Sequence, residues 1–278
     1  KESSAASDVY KRQLLVCLDF LPLKYRLPGI GVGLAAGVKL TPAFFGILFL
    51  IQRRWWAAAG SFITFLVTVG LGFLVVPDAK AFWTDAIFNS SRVGDHFNSG
   101  AQSLKSVLVR NLGIESDDKW LLTVLLTIAV VVIAAWLAVK LDCLPIAVGI
   151  TGFGACLVSP FTWYHHWVWI VPIAVSVFVA ANQAAAHFTR GNAALWQFAG
   201  LLSVGALVLV CSPFVGISVA ANLLWEFNPE RGFSWMYVPA ALAFLAIFII
   251  YALVEKARRN RARTRRWAEL QRAELGVV

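Results

Sequence analysis

Long apolar stretches alternate with short polar connections along most of this 278-residue chain. An α-helix rises about 1.5 Å per residue, so about 20 apolar residues cross the hydrocarbon core of a membrane. None of the stretches shows the period-2 alternation of a lipid-facing barrel strand, and a helix satisfies its own backbone groups in lipid. The pattern predicts an all-α, polytopic transmembrane helical bundle. The six predicted crossings are Trp56–Val76, Trp120–Val139, Cys143–Val158, Trp167–Ala181, Leu195–Phe214 and Met236–Val254.

One further apolar segment, Leu27–Ile51, has basic residues on both sides. If both flanks lie on the same side of the membrane, the segment must turn back within it. Thr41-Pro42 interrupts the helix, because proline removes a backbone donor and clashes with the preceding turn. We expect a re-entrant hairpin here, and a single tilted crossing is the alternative. Leu14–Leu23 is interpreted as the end of another crossing.

Composition supports a membrane protein. Hydrophobic residues make up 59% of the chain and charged residues only 14%, against about 25% charged residues in a typical soluble domain. These values exclude a soluble domain. The four cysteines lie in apolar runs without paired spacing, so we predict neither a disulfide nor a metal site from them. We also expect no cofactor.

The basic residues predict the orientation. They cluster in alternate connections and in the C-terminal tail, which the positive-inside rule assigns to the cytoplasm. The connections Pro77–Lys119, Ser159–His166 and Val215–Trp235 would then face outward. Residues 255–278 form a basic cytoplasmic tail able to touch anionic lipids, and a solvated tail explains its charge without nucleic acid.

The start of the chain is unusual for a natural protein. It begins at Lys1, its only methionine is Met236, and a polar run abuts the apolar residues that begin at Leu14. We interpret residues 1–13 as foreign and residues 14–254 as a transmembrane domain that is truncated at its N-terminus.

Three groups of polar residues are candidates for chemistry, because a polar group within a membrane span is a functional hypothesis by default. The first is Lys39, just before Thr41-Pro42. A buried ammonium needs a partner, and a lipid phosphate would serve. A snorkelling lysine at a helix end is the alternative.

The second group lies in the predicted outer loop. Arg92 and Arg110 could hold a phosphate, while Asp95 could bind a sugar hydroxyl or abstract a proton. Gln102 and Ser103 follow in the same loop. An ordinary solvated loop is the alternative.

The third group is His165 and His166, with Trp163 nearby. Adjacent residues on a helix point about 100° apart, so the two imidazoles are poorly placed to share one metal ion. Hydrogen bonds to a phosphate or to sugar hydroxyls fit them better. An aromatic belt at the membrane boundary explains the tryptophans alone.

In order and separation these motifs resemble those of the polyprenyl-phosphate-mannose-dependent mannosyltransferases of glycosyltransferase family 87. The likeness runs from about Leu14 to Val254 and implies the C-terminal portion of a GT-C-like enzyme. The matching motifs are Lys39-Leu40-Thr41-Pro42 with Arg53-Arg54-Trp55, then Ser91-Arg92-Val93-Gly94-Asp95 with Gln102-Ser103-Leu104 and Arg110, then Ser159-Pro160 with Trp163, His165, His166 and Trp169.

The resemblance implies an inverting enzyme of the cell membrane with an extracytoplasmic active face. It would move mannose from a polyprenyl-phosphate-linked sugar donor to a glycolipid or glycan acceptor, without nucleotide or metal. The catalytic base would lie upstream of Lys1, so we expect this chain alone to be inactive unless Asp95 or Asp85 replaces it. The family pattern has Asn where this chain has Ala101. The implied donor-phosphate residues are Lys39, Arg92, Arg110, His165 and His166, and the implied sugar or acceptor residues are Asp95, Gln102, Ser103 and Trp163.

Other functions share this layout. A secondary transporter of a small anionic substrate would also have a broken helix and a buried lysine, although paired broken helices are typical of transporters. A polymerase or ligase for cell-wall lipids and a non-catalytic assembly subunit are further alternatives. For a transferase we expect the three groups to converge on one cavity, with Lys39 close to His165 and His166.

Overall fold

The structure, a computed structural model, describes residues 11–21, 28–86, 94–98, 100–188 and 237–274 and the isolated positions 195, 198 and 201. Regular structure in these residues is helical, and an isolated bridge joins Ala101 to Trp163. The predicted all-α fold is confirmed. The predicted crossing Leu195–Phe214 falls almost wholly outside the described residues, as does the connection Val215–Trp235.

Three of the described helices are long and apolar enough to cross a membrane: α4 (Trp55–Val75), α7 (Asp117–Lys140) and α10 (Tyr237–Glu274). The chain is therefore a multi-pass membrane protein. α7 begins three residues before its predicted start because the Ser116 hydroxyl caps it, accepting from the Lys119 N–H. α10 runs past its predicted end at Val254, so most of the basic tail is a continuation of the last crossing.

Shorter helices complete the described part of the chain. A helix over residues 11–18, here α1, occupies part of the predicted crossing Leu14–Leu23. The predicted crossing near Trp167–Ala181 is a 3-10 helix followed by an α-helix. The remaining elements are α2 (Ile30–Val38), a 3-10 helix Thr41–Phe45, α3 (Gly46–Ile51), α5 (Ala79–Ala81) with a π-turn Phe82–Ala86, α6 (Leu104–Leu112), α8 (Leu144–Val158), a 3-10 helix Tyr164–Trp169 and α9 (Ile170–Phe188).

The segment from α2 to α3 is a re-entrant hairpin, as the sequence predicts. α2 runs parallel to α4, because the backbone at Gly29 meets Ala57 while Gly37 meets Thr68 further along α4. The 3-10 helix and α3 then bring the chain back to the start of α4 at Trp55. Both ends of the hairpin thus lie at one end of α4, and its tip lies 13 residues of α4 away, roughly 20 Å.

Asp19 joins the base of this hairpin. Its carboxylate is fully buried and accepts from the backbone N–H groups of Gly29 (2.9 Å) and Val32 (2.7 Å) at the start of α2. Arg54 donates to the Asp19 carbonyl at 2.9 Å, and its guanidinium lies 5.0 Å from the centre of the Phe49 ring. A capped helix start and a packed cation hold the two ends of the hairpin together.

α8 lies at the centre of the bundle, and its side chains from Ala147 to Leu157 are all buried. Its small residues allow this, since a Cβ at Gly152 would collide with the Trp169 ring and one at Gly149 with Ile173. Close contact of α8 with the 3-10 helix Tyr164–Trp169 and with α9 follows from these glycines. Large side chains on α4 and α7 instead face outward, as lipid-facing positions do.

Two lysines mark one end of the bundle. Lys140 at the end of α7 and Lys256 on α10 both lie over the Trp136 ring, at 5.9 and 4.4 Å from its centre. The last turn of α7 and the apolar-to-basic transition of α10 are therefore at the same level. An aromatic ring between two cations is typical of a membrane–water interface.

Candidate functional site

Lys39 lies at the tip of the re-entrant hairpin. Its backbone is extended (φ −151°, ψ 128°), and its N–H donates to the Ala35 carbonyl in the last hydrogen bond of α2. Pro42 follows in the first turn of the 3-10 helix, where the N–H that it lacks would have no partner. The break places a long amine-bearing side chain at the deepest point of the hairpin.

The side chain of His166 contacts this lysine. The Lys39 Nζ lies 2.7 Å from the His166 Nε2, across 127 positions of sequence. His166 sits on the 3-10 helix Tyr164–Trp169, and its N–H donates to the Trp163 carbonyl at 3.0 Å. The first and third predicted motifs therefore meet, as expected for a shared site.

The contact constrains the protons of the pair. The His166 Nδ1 lies 3.0 Å from the Trp163 N and 3.2 Å from the Trp163 carbonyl oxygen. If the Trp163 N–H donates to Nδ1, then Nε2–H donates to a neutral Lys39 amine. If Nδ1–H donates to the carbonyl, Nε2 accepts from a Lys39 ammonium. Either way only one proton lies between the two nitrogens.

A pocket of about 390 Å³, including its open mouth, surrounds this contact. Phe45 and Trp169 form an aromatic wall, with ring centres 4.7 Å apart. Among the described residues that line the pocket none carries a carboxylate, and the surface that they present to it is almost wholly apolar. The polar lining residues are Arg12, Gln13, Lys39, Thr41, Cys156 and His166.

His165 lies beside this pocket, with its ring centre 4.6 Å from that of His166 and the two planes inclined by 31°. The backbone carbonyl of His166 is fixed separately, accepting from the Gln13 amide (3.3 Å) and the Cys156 thiol (3.4 Å). Two imidazoles and a lysine amine thus gather in a largely apolar environment. Such a set favours an anionic ligand with hydrogen-bond acceptors, as a phosphate is.

The second motif packs against the third through residues that do not line this pocket. Gln102 N–H donates to the Thr162 carbonyl at 2.6 Å, and the Trp167 indole N–H donates to the Gln102 carbonyl at 3.2 Å. The Gln102 side chain is buried. Neither Gln102 nor Arg110 lines the pocket. The second motif is joined to the site through the backbone at residues 160–163.

Ser103 is fully buried and its hydroxyl has structural partners. The hydroxyl donates to the Pro160 carbonyl at 3.0 Å. It also accepts from the Ser106 N–H at 3.1 Å, so Ser103 caps the start of α6. Trp163 is half-buried, and its ring centre is 5.1 Å from that of Phe161. Sugar-binding roles for these residues stay predictions.

Arg110 holds the loop that precedes α6. Its Nη1 lies 2.9 Å from the His96 carbonyl, 2.7 Å from that of Asn98 and 3.1 Å from that of Ala101. Burial lowers the Arg110 pKa to about 10. The guanidinium thus shapes the loop, and its predicted phosphate contact is untested.

Asp95 does not line the pocket. Asp95 is exposed, and its carboxylate accepts from the Phe97 N–H at 2.9 Å in a local turn. Arg92 lies outside the described residues. Among the described residues no group of three or more His, Cys, Asp or Glu side chains could hold a metal ion.

Three residues that support the hairpin, the pocket or the second motif were not predicted from the sequence. Asp19 is the only acidic residue of an apolar run, which is a signal that membrane rules flag. Cys156 was interpreted as a small buried hydrophobe, yet it lines the pocket. No sequence pattern marks Ser106. Its role, a contact of its N–H and hydroxyl with the Ser103 hydroxyl, is visible only in the fold.

Comparisons with known proteins agree with these motifs. The family model described as Glycosyltransferase family 87 matches residues 13–160. A Mycolicibacterium smegmatis relative named polyprenol-phosphate-mannose-dependent alpha-(1-2)-phosphatidylinositol pentamannoside mannosyltransferase is 34% identical over 231 residues, 80% of this chain and 53% of the relative. A Mycobacterium tuberculosis relative with the same name is 35% identical over 80% of this chain and 50% of its own length.

A third relative, from M. smegmatis, is named polyprenol-phosphate-mannose-dependent alpha-(1-2)-phosphatidylinositol mannoside mannosyltransferase and is 29% identical over 88% of this chain. The chain spans about half the length of the curated relatives it matches. No solved structure matches it. Since the family match covers more than half of the chain and includes the Lys39, Gln102 and Ser159-Pro160 motifs, the chain belongs to glycosyltransferase family 87.

Proposed function

We propose that this protein is a membrane mannosyltransferase that moves a mannosyl residue from a polyprenyl-phosphate donor to a glycolipid or polysaccharide acceptor. Family membership and the names of the relatives support this assignment. They do not support the alternative, a secondary transporter. Those names also favour a phosphatidylinositol mannoside as the acceptor. The observation that carries the proposal is the 2.7 Å contact of Lys39 with His166 inside an apolar pocket.

The hairpin explains how a lysine can reach a lipid phosphate. Its base lies beside Arg53 and Arg54, which the positive-inside rule assigns to the cytoplasm. Its tip is carried roughly 20 Å along α4 toward the opposite face. His165 and His166 follow the outward end of α8, so the site opens toward the outer leaflet in this orientation.

Inverting chemistry fits such a site. An acceptor hydroxyl attacks the anomeric carbon, the bond from that carbon to the phosphate oxygen breaks, and the lipid phosphate leaves with the electron pair. Lys39, His165 and His166 stabilise the departing phosphate, with Arg92 and Arg110 as further candidates. A carboxylate removes the acceptor proton. Asp95 is the candidate for that base within this chain.

Binding of polyprenyl phosphate to the purified chain in lipid nanodiscs tests the donor site. Lys39→Ala should weaken binding by about tenfold to a hundredfold, because it removes the amine that would bind the phosphate in an apolar pocket. His166→Ala should also weaken binding, because it removes the partner that positions this amine. Lys140→Ala is the matched control, since Lys140 lies over Trp136 at the other end of the bundle. Wild-type affinity in both pocket variants would reject the phosphate site.

A further inference from the structure

Two lysines at the basic end of the bundle share one aromatic ring. The Lys256 Nζ lies 4.4 Å from the centre of the Trp136 ring, and the Lys140 Nζ lies 5.9 Å from it. Both distances are within the range of a cation–π contact, so the two ammonium groups are at most about 10 Å apart. Trp136 and Lys140 belong to α7 and Lys256 belongs to α10, so this cluster joins two membrane crossings.

The cluster lies where the packed part of the two helices meets their outer surface. Ala138 of α7 and Ala252 of α10 are fully buried, two and four residues before the lysines. Trp136 is 38% exposed and Lys140 is exposed as well. The side of the cluster away from the core is therefore open to whatever surrounds the protein at this level.

The positive charge of the cluster is not neutralised within the described part of the chain. Neither Lys140 nor Lys256 forms an ion pair with a described carboxylate. The neighbouring acid on α10, Glu255, is engaged by Arg258 at 3.4 Å and by Arg259 at 2.9 Å. Two like charges close together at a membrane boundary favour the arrival of an anion.

The opposite end of α7 has the same kind of contact with its charge neutralised. There the Lys105 Nζ lies 4.6 Å from the centre of the Trp120 ring and pairs with the Asp117 carboxylate at 3.1 Å. A lysine on a tryptophan ring thus occurs at both ends of this helix, with an internal carboxylate at one end only. At the other end the counter-charge has to come from outside the described residues.

The location of the cluster favours a lipid over a free anion. A phospholipid carries its phosphate at the membrane–water boundary, where tryptophan rings also concentrate. Trp136 lies one turn before Lys140, toward the apolar middle of α7, so its exposed ring can pack on the glycerol and upper acyl chain of the same lipid. A free phosphate has no group for that position. The two lysines would also repel the cationic part of phosphatidylcholine, so a headgroup with net negative charge fits better.

We propose that Lys140, Lys256 and Trp136 form a binding site for an anionic phospholipid between α7 and α10. The two ammonium groups donate to oxygens of the headgroup phosphate, and the ring packs on the apolar part of the lipid next to it. The positive-inside rule assigns this site to the cytoplasmic leaflet. The site is independent of the proposed transferase function, because none of its residues lines the Lys39–His166 pocket.

Titration of phosphatidylglycerol into the purified chain in neutral detergent, followed by native mass spectrometry, tests this site. The double variant Lys140→Gln/Lys256→Gln should bind the lipid roughly tenfold to thirtyfold more weakly, because each lysine near a headgroup contributes about fivefold. Trp136→Leu keeps both charges and an apolar side chain. It should bind roughly threefold more weakly, since the ring no longer holds the ammonium groups in place.

Arg261→Gln/Arg265→Gln is the matched control. It removes two exposed positive charges from the same helix, five and nine residues past Lys256. By helix rise these arginines lie about 7 and 14 Å further along α10, close to or beyond the screening length at physiological salt. Their loss should change the affinity by about twofold at most. Equal melting temperatures of all the variants would show that the fold is retained.

The outcomes separate a defined lipid site from general attraction. Equal losses in the lysine and arginine double variants would overturn the proposal, because the basic tail would then attract lipid without a site. Equal affinity for phosphatidylcholine and phosphatidylglycerol in the wild type, or unchanged affinity in Trp136→Leu, would overturn it as well. Displacement of the lipid by millimolar inorganic phosphate would assign the lysines to a free anion instead.

Discussion

At the scale of single residues, buried polar groups in this protein take their meaning from partners distant in sequence. Asp19 accepts from two N–H groups at the start of α2, and Lys39 meets a histidine 127 positions away. In an apolar bundle an unpaired group of this kind costs about 1–3 kcal/mol, so each such pair restricts how the helices can pack.

Substitution of Asp19 tests this at the base of the hairpin. Asp19→Ala should lower the free energy of unfolding by about 1–3 kcal/mol, because two backbone N–H groups lose their buried acceptor. Asp19→Asn should fall between alanine and the wild type, since its amide retains one acceptor oxygen. Thermal melting in detergent measures the difference, and identical melting temperatures for all three proteins would contradict the capping role.

At the scale of elements, the hairpin and α4 are held together by close backbone contact. α2 contributes small residues at the interface, and the backbone at Gly33 lies beside Ser61 and Thr64 of α4. Small residues at helix crossings are the usual means of packing helices within membranes, because they let the backbones approach. The hairpin can therefore lie along α4 without large side chains between them.

Two glycine substitutions with opposite expected signs test this packing. Gly33→Ala should destabilise the protein, because the new Cβ would lie 2.5 Å from the Ser61 carbonyl oxygen. Gly70→Ala is the matched control within α4, where nothing lies within 4 Å of the added methyl group. That change should be neutral or stabilising by up to about 1 kcal/mol from helix propensity alone. Equal melting shifts for both variants would argue against the interface.

At the scale of the whole molecule, the ends of the helices sort into two levels. Lys140 and Lys256 share Trp136 at one level, while Lys105 pairs with Asp117 (3.1 Å) at the start of α7, the other level. The positive-inside rule predicts that the basic end of α10 lies in the cytoplasm and that the loop before α6 faces outward. The candidate site lies toward that outer loop.

Labelling single cysteines in a background without native cysteine tests this topology. A membrane-impermeant thiol reagent added from outside should label Asn98→Cys, an exposed position in the outer loop, and miss Thr264→Cys, an exposed position on α10. Permeabilised cells provide the control, because both positions should then react. The reverse pattern in intact cells would invert the topology and place the donor site on the cytoplasmic face.

The sequence by itself determined the fold class and the three crossings that correspond to α4, α7 and α10. Runs of about 20 apolar residues leave few alternatives to helices, because lipid offers no hydrogen-bond partners to an irregular backbone. Flanking charge and Pro42 were enough to predict the hairpin. The motifs around Lys39, Ser103 and His166 were enough to identify the family.

Only the tertiary structure decided which polar residues act together. The contact of Lys39 with His166 requires the hairpin tip and the 3-10 helix after α8 to reach the same depth. The sequence also grouped Ser103 and Arg110 with possible ligands, yet in the fold their polar groups bond to loop carbonyls. Periodicity and charge report which face of a helix is apolar, whereas a partner for a buried side chain is set by distances between elements remote in sequence.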